Sequence, residues 1–144
     1  KIKLIQDACH CIDAKFKNNS IVKYSDACTF SLHPLKNLNV WGDGGFILTN
    51  NKLLAKKLYI IRNHGLVDRN NCEIFAYNSR LDSIQAAIAN YKIKNKLNTI
   101  TNKRISNAKL LDKLLKPIHQ VKTTDRIFLI EMEILWQKQL IQLM

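Results

Sequence analysis

Short apolar runs, each closed by a polar or small residue, set the pattern of the chain's first half. Ile2, Leu4 and Ile5 predict a short, largely buried strand that Asp7 closes. Ala27-Cys28-Thr29-Phe30 predicts a second strand ending at Ser31, and Gly45-Phe46-Ile47-Leu48-Thr49 a third, closed by the turn signal Asn50-Asn51. From there the period changes. Asn50-Asn51 caps a helix whose apolar stripe is Leu54, Leu58 and Ile61, and Gly65 stops it as a glycine just past a helix end does. Leu66 to Ala76 reads as a polar loop containing Asp68-Arg69-Asn70-Asn71. A turn at Tyr77-Asn78-Ser79-Arg80 then leads into a long helix, capped by Asp82 or Ser79, with Ile84, Ile88 and Tyr91 along one stripe.

The chain carries both strand and helix patterns, and 144 residues at 47% hydrophobic are enough for one domain with a core. In open α/β sheets ligands sit outside the carboxyl ends of the strands. Three strand ends here deliver a carboxylate (Asp7), a hydroxyl followed by a lysine (Ser31, Lys36), and the Gly42-Asp43-Gly44-Gly45 turn. Lys36 is flanked by Leu35, Leu38 and Trp41, and desolvation by such neighbours lowers a lysine's pKa and frees its amine for reaction with a carbonyl. The grouping suits pyridoxal phosphate, PLP. Its aldehyde needs a lysine amine, its ring nitrogen a carboxylate that keeps it protonated, and its phosphate hydroxyl and backbone donors. Simpler roles stay open at this point: Lys36 as a surface lysine, Asp7 as a turn or helix cap.

The motifs Asp7-Ala8-Cys9-His10, Phe30-Ser31-Leu32-His33-Pro34-Leu35-Lys36-Asn37, Gly42-Asp43-Gly44-Gly45, Arg62-Asn63-His64-Gly65 and Tyr77-Asn78-Ser79-Arg80-Leu81 stand in order along residues 1 to about 110. In this they resemble the DegT/DnrJ/StrS family of PLP-dependent aminotransferases acting on nucleotide-linked keto-sugars, enzymes of amino-sugar and surface-polysaccharide biosynthesis. The resemblance implies the large domain of the type I aminotransferase fold, a mixed sheet flanked by helices. It implies that Lys36 bonds the cofactor and then serves as the general base of the proton shift. Asp7 would pair with the pyridinium nitrogen, His10 would lie near the cofactor's phenolate oxygen, and Ser31 would bind the phosphate. Asn78 would reach the phosphate of a neighbouring subunit's cofactor, making the site a homodimer property. Some relatives carry His at the lysine position and act as dehydratases; Lys36 favours transamination. The substrates implied are a nucleotide sugar and an amino donor, glutamate.

The chain also departs from the family pattern. It opens on Lys1, inside the first motif, and the family places a further phosphate-binding Gly-Ser/Thr turn and a ring-stacking aromatic before this aspartate. Residues 1–116 therefore read as a partial PLP-binding large domain with the start of the following helix, and 117–144 are unassigned. A truncated chain, inactive by itself, is the reading this supports; a non-catalytic remnant of such an enzyme is the alternative.

Charge changes the picture little. The formal net charge is +12, and residues 86–116 carry eight Lys or Arg against Asp112 alone. These lie at helical spacing among Ile, Leu and Ala, which reads as a solvated basic face; no helix-turn-helix, zinc-finger or RNA-binding signature accompanies them, so no nucleic-acid partner is expected. No run approaches the ~20 apolar residues of a membrane helix. Cys9-His10-Cys11 invites a zinc reading, but no second ligand pair has the required spacing. Cys9, Cys11, Cys28 and Cys72 are read as free, mostly buried thiols, which fits a reducing cytoplasm. His64 is read as a helix-end residue rather than a ligand, and His33 as lying near the substrate.

Overall fold

The structure, a computed structural model, describes residues 2–121. Its centre is a three-stranded mixed sheet in the order β1 (Ile5–Asp7), β4 (Ala27–Ser31), β5 (Gly45–Leu48). β1 runs parallel to β4, pairing Ile5 with Ala27 and Asp7 with Thr29. β5 returns antiparallel to β4, from Cys28 opposite Leu48 to Ser31 opposite Gly45. Asp26 fixes the register of the parallel pair. Its carboxylate accepts from the Leu4 amide and from Lys3 Nζ, each at 3.0 Å, while its own amide donates to the Leu4 carbonyl at 2.9 Å.

The predicted strands are present, but the first is not buried. Ile5 is 72% exposed and Ile2 94%, and among the described strands β1 pairs with β4 alone. Between β1 and β4 the structure adds a hairpin, β2 (Lys15–Phe16) with β3 (Asn19–Ser20), and a 3-10 turn over Ile21–Tyr24. Lys17 and Asn18, at φ 47° and 60°, make the two-residue connection. Both central residues of a type I′ turn need positive φ, and Lys-Asn is a weak version of the Asn-Gly signal.

Helix α1 (Lys52–Ile61) starts as predicted, with Asn51 Oδ1 accepting from the amides of Leu53 and Leu54 at 3.0 and 3.1 Å. The long helix is two helices, α2 (Ser83–Asn95) and α3 (Leu97–Leu115), meeting at Lys96, whose φ of −127° breaks the helical path. Asp82 is the cap, accepting from the Ile84 amide at 2.9 Å. The expected stripe packs inward only at Ile88: Ile84 and Tyr91 are exposed, and Ala86, Ala89 and Leu97 face inward with Ile88 and Ile93. Alanines on that face let α2 approach closely, leaving the bulky residues at 84 and 91 on the open side. The basic residues 94–116 of the two helices lie on the surface as expected. Lys92 is the exception, half-buried with its Nζ bonded to Asn39 Oδ1.

Two apolar clusters hold these pieces. Leu32, Leu38 and Val40, from the segment between β4 and β5, pack with Ala89 and Leu97. Ala8, Cys28 and Phe30 pack with Ile21, Val22 and Leu48. Phe46 touches both, and its ring stacks on that of Phe30 at 4.8 Å between centroids. The core thus lies directly beneath the segment that carries Lys36. Among the described residues no helix is long and apolar enough to cross a membrane.

Candidate functional site

The parallel pairing of β1 and β4 puts two strand ends side by side, and the chain beyond each turns toward the other. After β1 the turn is made by Asp7, whose Oδ1 accepts from the Cys9 amide at 3.0 Å. Ala8, fully buried, anchors this turn by donating its amide to the Thr29 carbonyl at 2.9 Å. His10 is thereby presented at the surface. After β4, Leu32 donates to the Gly44 carbonyl at 2.8 Å and Val40 to the Leu32 carbonyl at 3.0 Å, closing residues 32–40 into a loop. Leu32, Leu38 and Val40 are buried beneath it. Lys36 rides on top, and its Nζ lies 2.6 Å from His10 Nε2.

Asp7 belongs to the same group. The thiol and the amide of Cys9 both donate to it and hold its carboxyl below the usual carboxylate range; the charges of Lys36 and His10 add smaller contributions in the same direction, against a small opposing effect of burial. The carboxylate is exposed and remains anionic at neutral pH. Cys9 is pushed the other way, first by its bond to Asp7, so its thiol keeps its proton. Asp7 therefore does cap a turn, while its charge still faces Lys36 and His10.

Ser31 sits at the end of β4 with its Oγ accepting from the His33 amide at 3.2 Å. Asn78 belongs to a different group. Its Oδ1 accepts from Arg80, at 3.3 Å from the amide and 3.0 Å from Nε. The segment around it is tied to the end of α1: Asn63 bridges Asn78, the His64 amide donates to Tyr77 O at 3.1 Å, and the Ser79 amide donates to Arg62 O at 2.8 Å. His64, at φ 56°, is a helix-end residue in this geometry.

Two expectations about the surroundings change, and the glycine turn proves closely packed. Leu35 is 85% and Trp41 80% exposed, so of the three flanking side chains only Leu38 is buried. The loop turns its odd apolar residues outward because Leu32, Leu38 and Val40 already fill the contact with α2. The glycine turn is fitted to its neighbours: a Cβ on Gly44 would lie 2.7 Å from Leu81 Cδ1, and one on Gly45 2.8 Å from the Phe30 carbonyl. The cysteines are unpaired, but Cys28 alone is buried; Cys9 and Cys11 are half-buried and Cys72 is exposed. A positioning contact of α2 was not legible in the sequence. Gln85 of α2 accepts the Trp41 amide at 2.8 Å and ties the end of the lysine loop to the helix.

An exposed anionic carboxylate, a primary amine and a hydroxyl at adjacent strand ends is a donor set that fits PLP: one group for the ring nitrogen, one for the aldehyde, one for the phosphate.

A mixed α/β sheet with a lysine-bearing turn outside its strand ends is the architecture of PLP-dependent aminotransferases, and the solved structures similar to this chain have that fold. The chain belongs to the DegT/DnrJ/EryC1/StrS aminotransferase family, whose model matches residues 1–136. It is similar to S. venezuelae DesV, solved in complex with a ketimine intermediate, with TM-score 0.75 and 31% identity over 79% of this chain and 30% of that one. It is similar to NtdA of Bacillus subtilis, solved with bound cofactor PMP, with TM-score 0.72 and 33% identity over 83% of this chain and 27% of that one. Among curated proteins it is 39% identical over 113 residues to a pleiotropic regulatory protein of Geobacillus stearothermophilus, covering 78% of this chain and 30% of that protein. It therefore spans less than a third of the length of these relatives. The family match reaches past residue 116, into the segment the motifs left unassigned.

Proposed function

We propose that this chain carries the cofactor lysine of a PLP-dependent aminotransferase acting on nucleotide-linked keto-sugars. The observation that carries the reading is the 2.6 Å approach of Lys36 Nζ to His10 Nε2, beside an Asp7 held anionic. Relatives that support the substrate class include a dTDP-3-amino-3,4,6-trideoxy-alpha-D-glucose transaminase of Streptomyces venezuelae, 34% identical over 64% of this chain. A UDP-4-amino-4,6-dideoxy-N-acetyl-beta-L-altrosamine transaminase of Campylobacter jejuni is 32% identical over 85% of it.

PLP, when bound, supplies an electron sink that stabilises negative charge on the carbon losing its proton. The chain's own residues do the rest. His10, whose Nε2 lies 2.6 Å from Lys36 Nζ, would hold the amine in place at the site. Asp7 holds a proton on the ring nitrogen by its negative charge, and the two Cys9 donors keep that charge in place. Ser31 contributes a hydroxyl at the phosphate end. Lys36 would hold the cofactor through its amine and, as general base, carry the proton of the transfer. Asn78 completes the phosphate cradle of a second subunit, which supports a homodimer, and the amino donor is glutamate. The surroundings of such chemistry are cytoplasmic.

The test is an assay with PLP, glutamate and a 4-keto-6-deoxy nucleotide sugar. An enzyme carrying this sequence yields amino sugar and 2-oxoglutarate. The 144-residue chain by itself is expected to give no product and to lose PLP on gel filtration. Its Asn78 can serve only the cofactor of a second subunit, and the exposed Ile2, Leu4 and Ile5 leave β1 a bare apolar edge. Turnover by the chain alone would show that far less of the fold suffices.

A further inference from the structure

His33 makes three contacts within the five residues that lead to Lys36. Its amide donates to Ser31 Oγ at 3.2 Å, its carbonyl accepts the Lys36 amide at 2.9 Å, and its ring Nδ1 accepts the Leu35 amide at 3.2 Å. The side chain itself is exposed, so packing does not fix the ring. The ring-to-amide bond spans two residues, as the side-chain oxygen does in an Asx turn. It requires the Nδ1 lone pair, so the proton of the neutral ring sits on Nε2.

We propose that His33 is the positioning residue of Lys36, its imidazole serving as the acceptor that sets the turn displaying the lysine. The proposal deepens the aminotransferase reading and rests on it for the importance of Lys36. Pro34 gives the reason an acceptor is needed here. It fixes its own φ and has no amide to donate, so the turn between His33 and Lys36 has only the Leu35 and Lys36 amides with which to close. His33 receives both. The ring bond positions Leu35, whose apolar side chain is exposed and contributes no packing of its own to hold the backbone.

The experiment is amide exchange by NMR on the full chain, comparing H33A and H33N with the parent. Asn places an acceptor oxygen at the same two-residue spacing. In H33A the Leu35 amide should exchange about fivefold faster, the size of one ordinary hydrogen bond. In H33N it should exchange at the parent rate. The amides of Phe30 and Leu32 serve as internal controls and should not change in either variant. An unchanged Leu35 amide in H33A, equal acceleration in H33N, or acceleration spread to Phe30 and Leu32 would each overturn the proposal. PLP with borohydride on an enzyme carrying this sequence separates the two readings. Loss of labelling at Lys36 with the exchange pattern intact removes the cofactor role and leaves the turn-setting role standing.

Discussion

Asp7→Asn is expected to lower transamination more than tenfold in an enzyme carrying this sequence, while covalent capture of PLP at Lys36 persists. The substitution keeps the shape of the side chain and its acceptor for the Cys9 amide, so the turn after β1 survives. What it removes is the charge. A close opposite charge commonly shifts a partner's pKa by about 1–3 units, each worth about 1.4 kcal/mol. Without it the ring nitrogen loses its proton and the cofactor its capacity to hold charge from the breaking C–H bond. The step that suffers is proton removal, not bonding to the lysine. Single-turnover kinetics with glutamate check this: slow half-reaction and normal lysine capture are expected. Unchanged turnover would reduce Asp7 to a turn cap.

Gly65→Ala is expected to destabilise the fold by about 3 kcal/mol or more, read as a lower urea midpoint with an unchanged slope. Gly65 sits at φ +73°, and a Cβ there would lie 1.5 Å from the Ile74 carbonyl oxygen. Its amide donates to Ile60 O at 3.1 Å, ending α1, while its carbonyl accepts from the Glu73 amide at 3.0 Å. One residue thus ends the helix and docks the returning loop that leads to Asn78. Gly65→Asn separates the two causes. Asn tolerates positive φ but still has a Cβ, so it should cost nearly as much as Ala. A mild Asn variant would mean that conformation, not close approach, dominates.

The strand ends were legible because each apolar run stops at a polar residue, and Asp7, Ser31 and the Asn50-Asn51 turn stand where those stops predict. Burial was less so. Ile2, Leu4 and Ile5 look like core residues, but their burial is decided by what covers that face of the sheet, which a local pattern does not contain. Of the helix stripe only Ile88 packs inward, for a related reason. Ala86 and Ala89 carry little hydrophobic signal beside Ile84 and Tyr91, yet their small size decides which face comes close. The β2–β3 hairpin was not legible because Lys17-Asn18 adopts positive φ without a glycine.

For the site, residue types and order pointed to Lys36, Asp7 and His10, and the parallel pairing brings residues 26 apart in sequence within 2.6 Å. The family motifs supplied the roles. The apolar jacket expected around Lys36 was not legible correctly, since Leu35 and Trp41 alternate with the buried Leu38 and Val40 and face out. The acceptors at His33 Nδ1 and Gln85 Oε1 depend on rotamers and loop closure that sequence spacing does not encode.

The most direct test is the site of covalent attachment. An enzyme carrying this sequence, incubated with PLP and reduced with borohydride, is digested and its peptides mapped by mass spectrometry. The account predicts one phosphopyridoxyl-lysine at Lys36, absent from Lys36→Ala. Label on another lysine, or scattered equally over the basic face of α2 and α3, would contradict it.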